Sequence, residues 1–137
     1  MELIPRDIRA RLLQNGAAPD GADHVPVVKF FDPCGAATWL ITESLPHEPD
    51  LLFGLCDLGT AFPELGYVRL SELSVVAGSL GLGIERDLSF KGLFSISVYA
   101  EAARTLERIT EDTGLLAHAA AVLGKSPAAT IPPNEDG

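Results

Sequence analysis

The sequence predicts an α+β fold: one domain with a mainly antiparallel sheet of four to five strands and flanking helices. Three observations carry that expectation. At 137 residues the chain has the length of one domain and little room for a second. Its apolar period is helical at the start, alternates as in strands after residue 24, and turns helical again at Ser97. The first two strand-like segments are joined by Asp32-Pro33-Cys34-Gly35, far too short for the crossover that parallel strands need. The domain is expected over residues 1–112, with a C-terminal helix and a flexible tail over 113–137.

Residues 5–15 read as a short helix. Pro5 suits a first turn, Ile4, Ile8 and Leu12 recur every fourth residue, and Asn15-Gly16 supplies a left-handed stop. Residues 17–24 are a polar loop. Residues 25–31 (VPVVKFF) and 36–43 (AATWLITE) are rich in β-branched and aromatic side chains and read as strands. Residues 44–50 are expected as a loop, and 51–58 (LLFGLCDL) as a central strand. After a loop over 59–66 come a short strand over 67–70 and a brief helix whose cap is Ser71. Gly78, Gly81 and Gly83 break the chain before a strand over 84–90. Residues 97–110 form the second clear helix, with Ala100, Ala103, Leu106 and Ile109 on one face and Thr113-Gly114 as its end. An alanine-rich helix over 115–123 precedes the tail.

The connection at residues 32–35 has Asp at the first position of a type I turn, Pro at the second and Gly at the fourth. A three-residue loop with Gly35 at positive φ, as a G1 bulge, places Phe31 opposite Ala37 and Lys29 opposite Trp39. A two-residue loop would put Val28 opposite Trp39 instead.

Ten basic residues against nineteen acidic ones give a net charge of −9. Counterion displacement from nucleic acid or anionic lipid requires the opposite sign, so direct binding to either is not expected. No apolar run approaches the ~20 residues that span a bilayer, and the start of the chain lacks a basic-then-apolar leader. A soluble, cytoplasmic protein is the expectation. Cys34 and Cys56 are expected as thiols. With His24 and His47 they are separated by 9, 12 and 8 residues, unlike the close ligand pairs of structural zinc sites. No metal or other cofactor is expected.

Four blocks, PVVKFFDPCGAATWLITE, LLFGLCDLG, FPELGYVRLSEL and GLGIERDLSF, stand in that order. Together they resemble the domain-of-unknown-function 2958 family, over about residues 1–110. The resemblance implies a small bacterial protein of conjugative plasmids and integrating elements, in a neighbourhood of DNA-transfer and antirestriction genes. It implies no activity.

Carboxylates are the first place to seek chemistry. Glu43 and Asp57 fall at opposite ends of neighbouring strands, roughly 20 Å apart at about 3.3 Å per residue. Asp57 instead returns towards the Asp32 turn, with Glu64 on the following loop and Lys29 a short way inside. Asp32, Asp57, Glu64 and Lys29 are therefore the candidates for metal-assisted hydrolysis of a phosphate ester or nucleic acid, since hard cations take oxygen ligands. The plainer reading is that Asp32 accepts hydrogen bonds within its own turn, Asp57 ends a strand and Glu64 is solvated. Cys56 reads as a small core residue. Gly78–Gly83 lacks the strand-then-helix context of a dinucleotide fingerprint and reads as a turn. Trp39 reads as a core aromatic, because a base-stacking platform needs interleaved cations.

Residues 20–66 hold Asp20, Asp23, Asp32, Glu43, Glu48, Asp50, Asp57 and Glu64 against Lys29 alone. Such asymmetry fits an acidic docking surface, with an acidic DNA mimic of antirestriction type as the further alternative. The loops 44–50 and 59–66 place Leu45, Phe62 and Pro63 beside Glu48, Asp50 and Glu64, the pattern of apolar anchors within a charged rim. The favoured expectation is an accessory protein of a mobile element, not an enzyme, that docks a basic protein partner there. The oligomeric state is not legible.

Overall fold

Burial alternates along the first strand, β1 (Val28–Phe31), so that Val28 and Phe30 enter the core while Lys29 and Phe31 face the other way. A computed structural model describes residues 2–75 and 83–128 of the chain. In order come α1 (Arg6–Gly16), β1, β2 (Thr38–Leu45), β3 (Glu48–Asp57), β4 (Glu64–Arg69), α2 (Leu70–Val75), β5 (Glu85–Arg86), α3 (Ile96–Leu106) and α4 (Thr113–Leu123). The five strands form one sheet in the order β4-β3-β2-β1-β5, antiparallel throughout. The α+β expectation therefore holds.

Helices cover both faces. On one, Leu12 of α1 and Leu73 of α2 pack with Val28, Phe30, Trp39, Ile41 and Leu52, together with Ile4 and Ile84. Trp39 is thus a core aromatic. On the other face, Leu40 and Leu55 meet Val98, Tyr99, Ala102 and Ala103 of α3 and Leu116, Ala119 and Ala120 of α4. The buried residues of α3 are Ile96, Val98, Tyr99, Ala102 and Ala103, so of the expected face Ala103 is buried while Ala100 and Ile109 pack against the cluster partly buried.

The first hairpin differs from its sequence reading. Asp32 N–H donates to Ala37 O at 3.0 Å, and Phe31 pairs with Thr38, so Phe30 faces Trp39 and Lys29 faces Leu40. The Asp32–Gly35 turn is present, with Gly35 N–H donating to Asp32 O at 3.2 Å and Cys34 N–H to Asp32 Oδ1 at 2.9 Å. Gly35 does not take positive φ. The loop takes in one more residue, Ala36, so the strands close without a bulge and no left-handed position is required. Glycine here leaves room for the Asp32 side chain, whose Oδ2 would lie 2.7 Å from an added Cβ.

Other boundaries moved for tertiary reasons. The expected 44–50 loop is strand almost throughout: Leu45 pairs with Glu48, leaving Pro46-His47 as the turn. Likewise β4 begins at Glu64, so the 59–66 loop is shorter than read. The strand expected over 84–90 shrinks to Glu85–Arg86, because Asp87 opens a turn in which its Oδ1 accepts from Ser89 N–H at 2.8 Å. α3 stops at Leu106, with Glu107 in the left-handed region, and Thr113-Gly114 begins α4 where it was expected to end α3. Asp112 caps α4 by accepting from Leu115 N–H at 3.0 Å. After α4, Lys125 Nζ bonds Asp23 and Ala128 N–H donates to Leu93 O, both within 3 Å. The rest of the expected tail, 129–137, lies outside the described residues, as do Gly78 and Gly81 of the glycine-rich break.

Candidate functional site

A β-bulge sets the site. Ile41 pairs with Gly54 and Glu43 with Phe53, so β2 spends two residues where β3 spends one, and Thr42 is the extra residue. Thr42 is buried; its Oγ1 donates to Phe53 O at 3.2 Å, and Asn15 Nδ2 at the end of α1 donates to its carbonyl at 2.9 Å. The extra residue reverses the facing of β2 beyond it. Trp39 and Ile41 face α1, whereas Glu43 and Leu45 face the α3 side with Phe53. Phe53 in turn pairs with Tyr67 on β4, so Glu43, Phe53 and Tyr67 form a row across three strands. The Phe53 and Tyr67 rings meet edge-on, centroids 5.0 Å apart.

α3 borders this part of the sheet with its first turn, Ile96 and Ser97. The result is a cleft of about 600 Å³ whose floor includes Glu43, Leu45, Phe53, Leu65 and Tyr67. Its far wall is the 18–24 loop and the first turn of α3. That wall is held by Asp23, which accepts from Ser97 N–H at 3.0 Å, Ser97 Oγ at 2.5 Å and Lys125 Nζ at 2.8 Å. Ser95, the residue before α3, makes no capping bond with its side chain, and Asp23 caps the helix from another segment. Burial raises the Asp23 pKa, but Lys125 and Ser97 outweigh it and hold the carboxyl at about 2. Glu43 is half-buried and has no ion pair or hydrogen-bond partner for its carboxylate among the described residues.

The residues of the metal-assisted alternative are not brought together. Among the described residues, no group of three or more His, Cys, Asp and Glu is placed to hold one ion. Asp57 is 4% exposed, and both its oxygens are spent on backbone: Oδ1 accepts from Gly59 N–H at 2.9 Å and Oδ2 from Ile109 N–H at 3.0 Å. Asp32 accepts within its own turn. Lys29 Nζ pairs with Glu111 at 2.6 Å and Asp87 at 3.4 Å. Burial lowers the Lys29 pKa, but those two carboxylates more than offset it and the net direction is upward. Glu64 sits on β4 opposite Cys56, whose thiol is pushed up to about 11 by burial and then by the Glu64 charge. Cys56 packs against the α1-side core. A thiol so shifted is a poor nucleophile near neutral pH.

The expected docking residues divide into two groups. Glu48 and Asp50 are engaged: Arg69 pairs with Glu48 at 2.7 Å, and Asp50 accepts from Ser71 N–H and Oγ at 2.9 and 2.7 Å, opening α2. They are internal ties and not free rim charges. Phe62 is 75% exposed and Glu64 is exposed, while Leu45 and Pro63 are half-buried. Leu65 and Tyr67, which sequence reading left unmarked, extend the apolar surface at 44% and 60% exposure. Their alternation with Glu64, Gly66 and Val68 was a legible strand signal. The bulge that turns Glu43 towards them was not.

No helix among the described residues is long and apolar enough to cross a membrane. No curated protein and no solved structure matches the chain. A family described as protein of unknown function (DUF2958) matches residues 3–110. That span takes in α1, the whole sheet, α3 and the Glu43–Phe53–Tyr67 row, and leaves α4 and Lys125 beyond it. The chain belongs to the DUF2958 family.

Proposed function

We propose that this protein is a non-enzymatic accessory factor of a bacterial mobile element that docks a basic protein partner on the β3–β4 side of its sheet. One observation carries the reading: Phe62, Leu65 and Tyr67 stand exposed along and just before the edge strand β4, with Glu43 in register with Tyr67 across Phe53 and Glu64 between Phe62 and Leu65 in the chain, and neither carboxylate has a partner among the described residues. Exposed aromatic and aliphatic side chains close to free charge of one sign are the composition of a docking patch, with the charge steering encounter. The net charge of −9 favours a basic partner over an acidic one. The mobile-element setting rests on the family resemblance of the four sequence blocks.

The test is affinity capture with the genes that flank this one co-expressed, run in parallel with wild type and Phe62→Ala. A basic partner that wild type retains and Phe62→Ala loses, with purified binding weakened by 0.5 M salt, supports the reading. A partner indifferent to both changes places the interface elsewhere, and reproducible capture of nothing removes the docking role.

A further inference from the structure

We infer that the cleft over the Glu43–Phe53–Tyr67 row is a receptor for an arginine side chain of the docked partner. The inference rests on the docking reading and adds to it the chemistry of one contact.

The row has the parts that a guanidinium needs. Glu43 is half-buried, and its carboxylate has no partner among the described residues, although the sheet around it is apolar. An arriving cation would supply a counter-charge in a cleft that screens it less than open solvent does. Next in register lie the two rings, and Tyr67 is 60% exposed, so ring surface is open to a flat cation. Arginine stacks on an aromatic ring while its fork donates to a carboxylate, a combination that lysine matches poorly. Leu45 and Leu65 flank the row and suit the three methylenes of the side chain.

The bulge supplies an independent reason. With regular pairing through Thr42, Glu43 would face the α1 core, where Trp39 and Ile41 lie. Bulges re-aim side chains at binding sites. Here the bulge is braced from α1 by Asn15 and from β3 by Phe53 O, so the aim of Glu43 is fixed before any ligand arrives. Among the described residues Lys125 is the one Lys or Arg side chain lining the cleft, and it is already paired with Asp23 at 2.8 Å. It leaves Glu43 to an incoming charge.

The experiment is a titration of the full chain with the capped tripeptide acetyl-Gly-Arg-Gly-amide, followed by ¹H–¹⁵N NMR. The expected result is saturable shifts centred on the amides of Glu43, Phe53 and Tyr67, with weak affinity, as one side chain alone provides. The citrulline peptide, equal in shape but uncharged, should bind at least tenfold more weakly. Glu43→Gln, which keeps the wild-type spectrum elsewhere, should weaken the arginine peptide at least fivefold. Phe62→Ala should leave it unchanged. Absence of saturable shifts at those amides, equal binding of the citrulline peptide, or indifference to Glu43→Gln overturns the inference. If a protein partner depends on Phe62 while the tripeptide fails these tests, docking stands and the arginine site alone falls.

Discussion

Asp57, at the last position of β3, accepts a hydrogen bond from the backbone N–H of Ile109 at 3.0 Å, across 52 residues of sequence. Its other oxygen holds Gly59 N–H at 2.9 Å. One buried carboxylate thus fixes both the turn out of β3 and the connection between α3 and α4. It also explains why α3 ends at Leu106, since a helix continued through Ile109 would turn that N–H back into the helix.

Asp57→Ala should therefore cost about 3 kcal/mol of stability, because two amides lose a charged acceptor in a buried place. Asp57→Asn retains one acceptor oxygen and should cost about half as much. Urea denaturation at pH 7 measures both. Millimolar Mn²⁺ or Mg²⁺ should leave the wild-type Tm unchanged, since Asp57 is spent on backbone; a metal-dependent rise abolished by Asp57→Asn would restore the hydrolase reading.

The Asp23 clamp makes a prediction in pH. Its carboxyl is held at about 2 against an ordinary value of 3.8. A depressed folded-state pKa stabilises the fold above pH 4, and that contribution is lost as pH falls towards 2. The shift itself corresponds to about 2 kcal/mol, and solvent screening of the Lys125 pair reduces the expected contribution to about 1 kcal/mol. Wild type should exceed Asp23→Asn by that amount at pH 6, and the gap should shrink to a small fraction of it as pH falls from 4 to 2. A gap constant over this range, measured by denaturant titration, would remove the clamp as a source of acid sensitivity.

Three glycines rank by what a methyl group would meet. At Gly54 an added Cβ would lie 2.0 Å from Leu40 O, a backbone atom of the neighbouring strand, so Gly54→Ala should cost more than about 3 kcal/mol or prevent folding. At Gly35 it meets the Asp32 side chain at 2.7 Å, which can rotate away at the loss of its bond to Cys34 N–H, for about 1 kcal/mol. At Gly66 nothing lies within 4 Å, and Gly66→Ala should be neutral or slightly stabilising. Thermal unfolding of the three variants checks the order.

What the sequence disclosed and what it hid follow from the range of the interactions. α1, β1, β2 and the Asp32 turn were legible because period and turn chemistry are local; the left-handed stop expected at Asn15-Gly16 is absent, since Gly16 lies inside α1 and Ala17 closes the helix in the right-handed region. Trp39 and Cys56 fell into the core because their neighbours are apolar. The length of the hairpin loop was not legible, since Asp-Pro-Cys-Gly fits a type I turn whether or not Ala36 joins the loop. The end of α3 is set by Asp57, and its own residues 107–110 show no break. The site was half legible: Phe62 and Glu64 are exposed as expected, but Arg69 and Ser71 claim Glu48 and Asp50 from another strand and a helix start. Glu43 depends on a bulge for which no residue type is diagnostic.

That division decides which substitutions should weaken partner binding. Phe62 is 75% exposed, so its removal costs the fold little and an interface much. Phe62→Ala should reduce affinity by about 2 kcal/mol with the Tm unchanged, the magnitude of a buried aromatic anchor. Glu48→Gln should change affinity by less than about 0.5 kcal/mol, since the charge it removes already belongs to Arg69 at 2.7 Å. Glu64→Gln should act chiefly on the association rate, and its effect should vanish at 0.5 M salt, where the Debye length is about 4 Å. Surface plasmon resonance at two salt concentrations separates these terms. If Glu48→Gln cost more than Phe62→Ala, the partner would be reading the Arg69 cluster on the β3–β4 edge in place of the apolar patch, because only displacement of that internal pair makes Glu48 available.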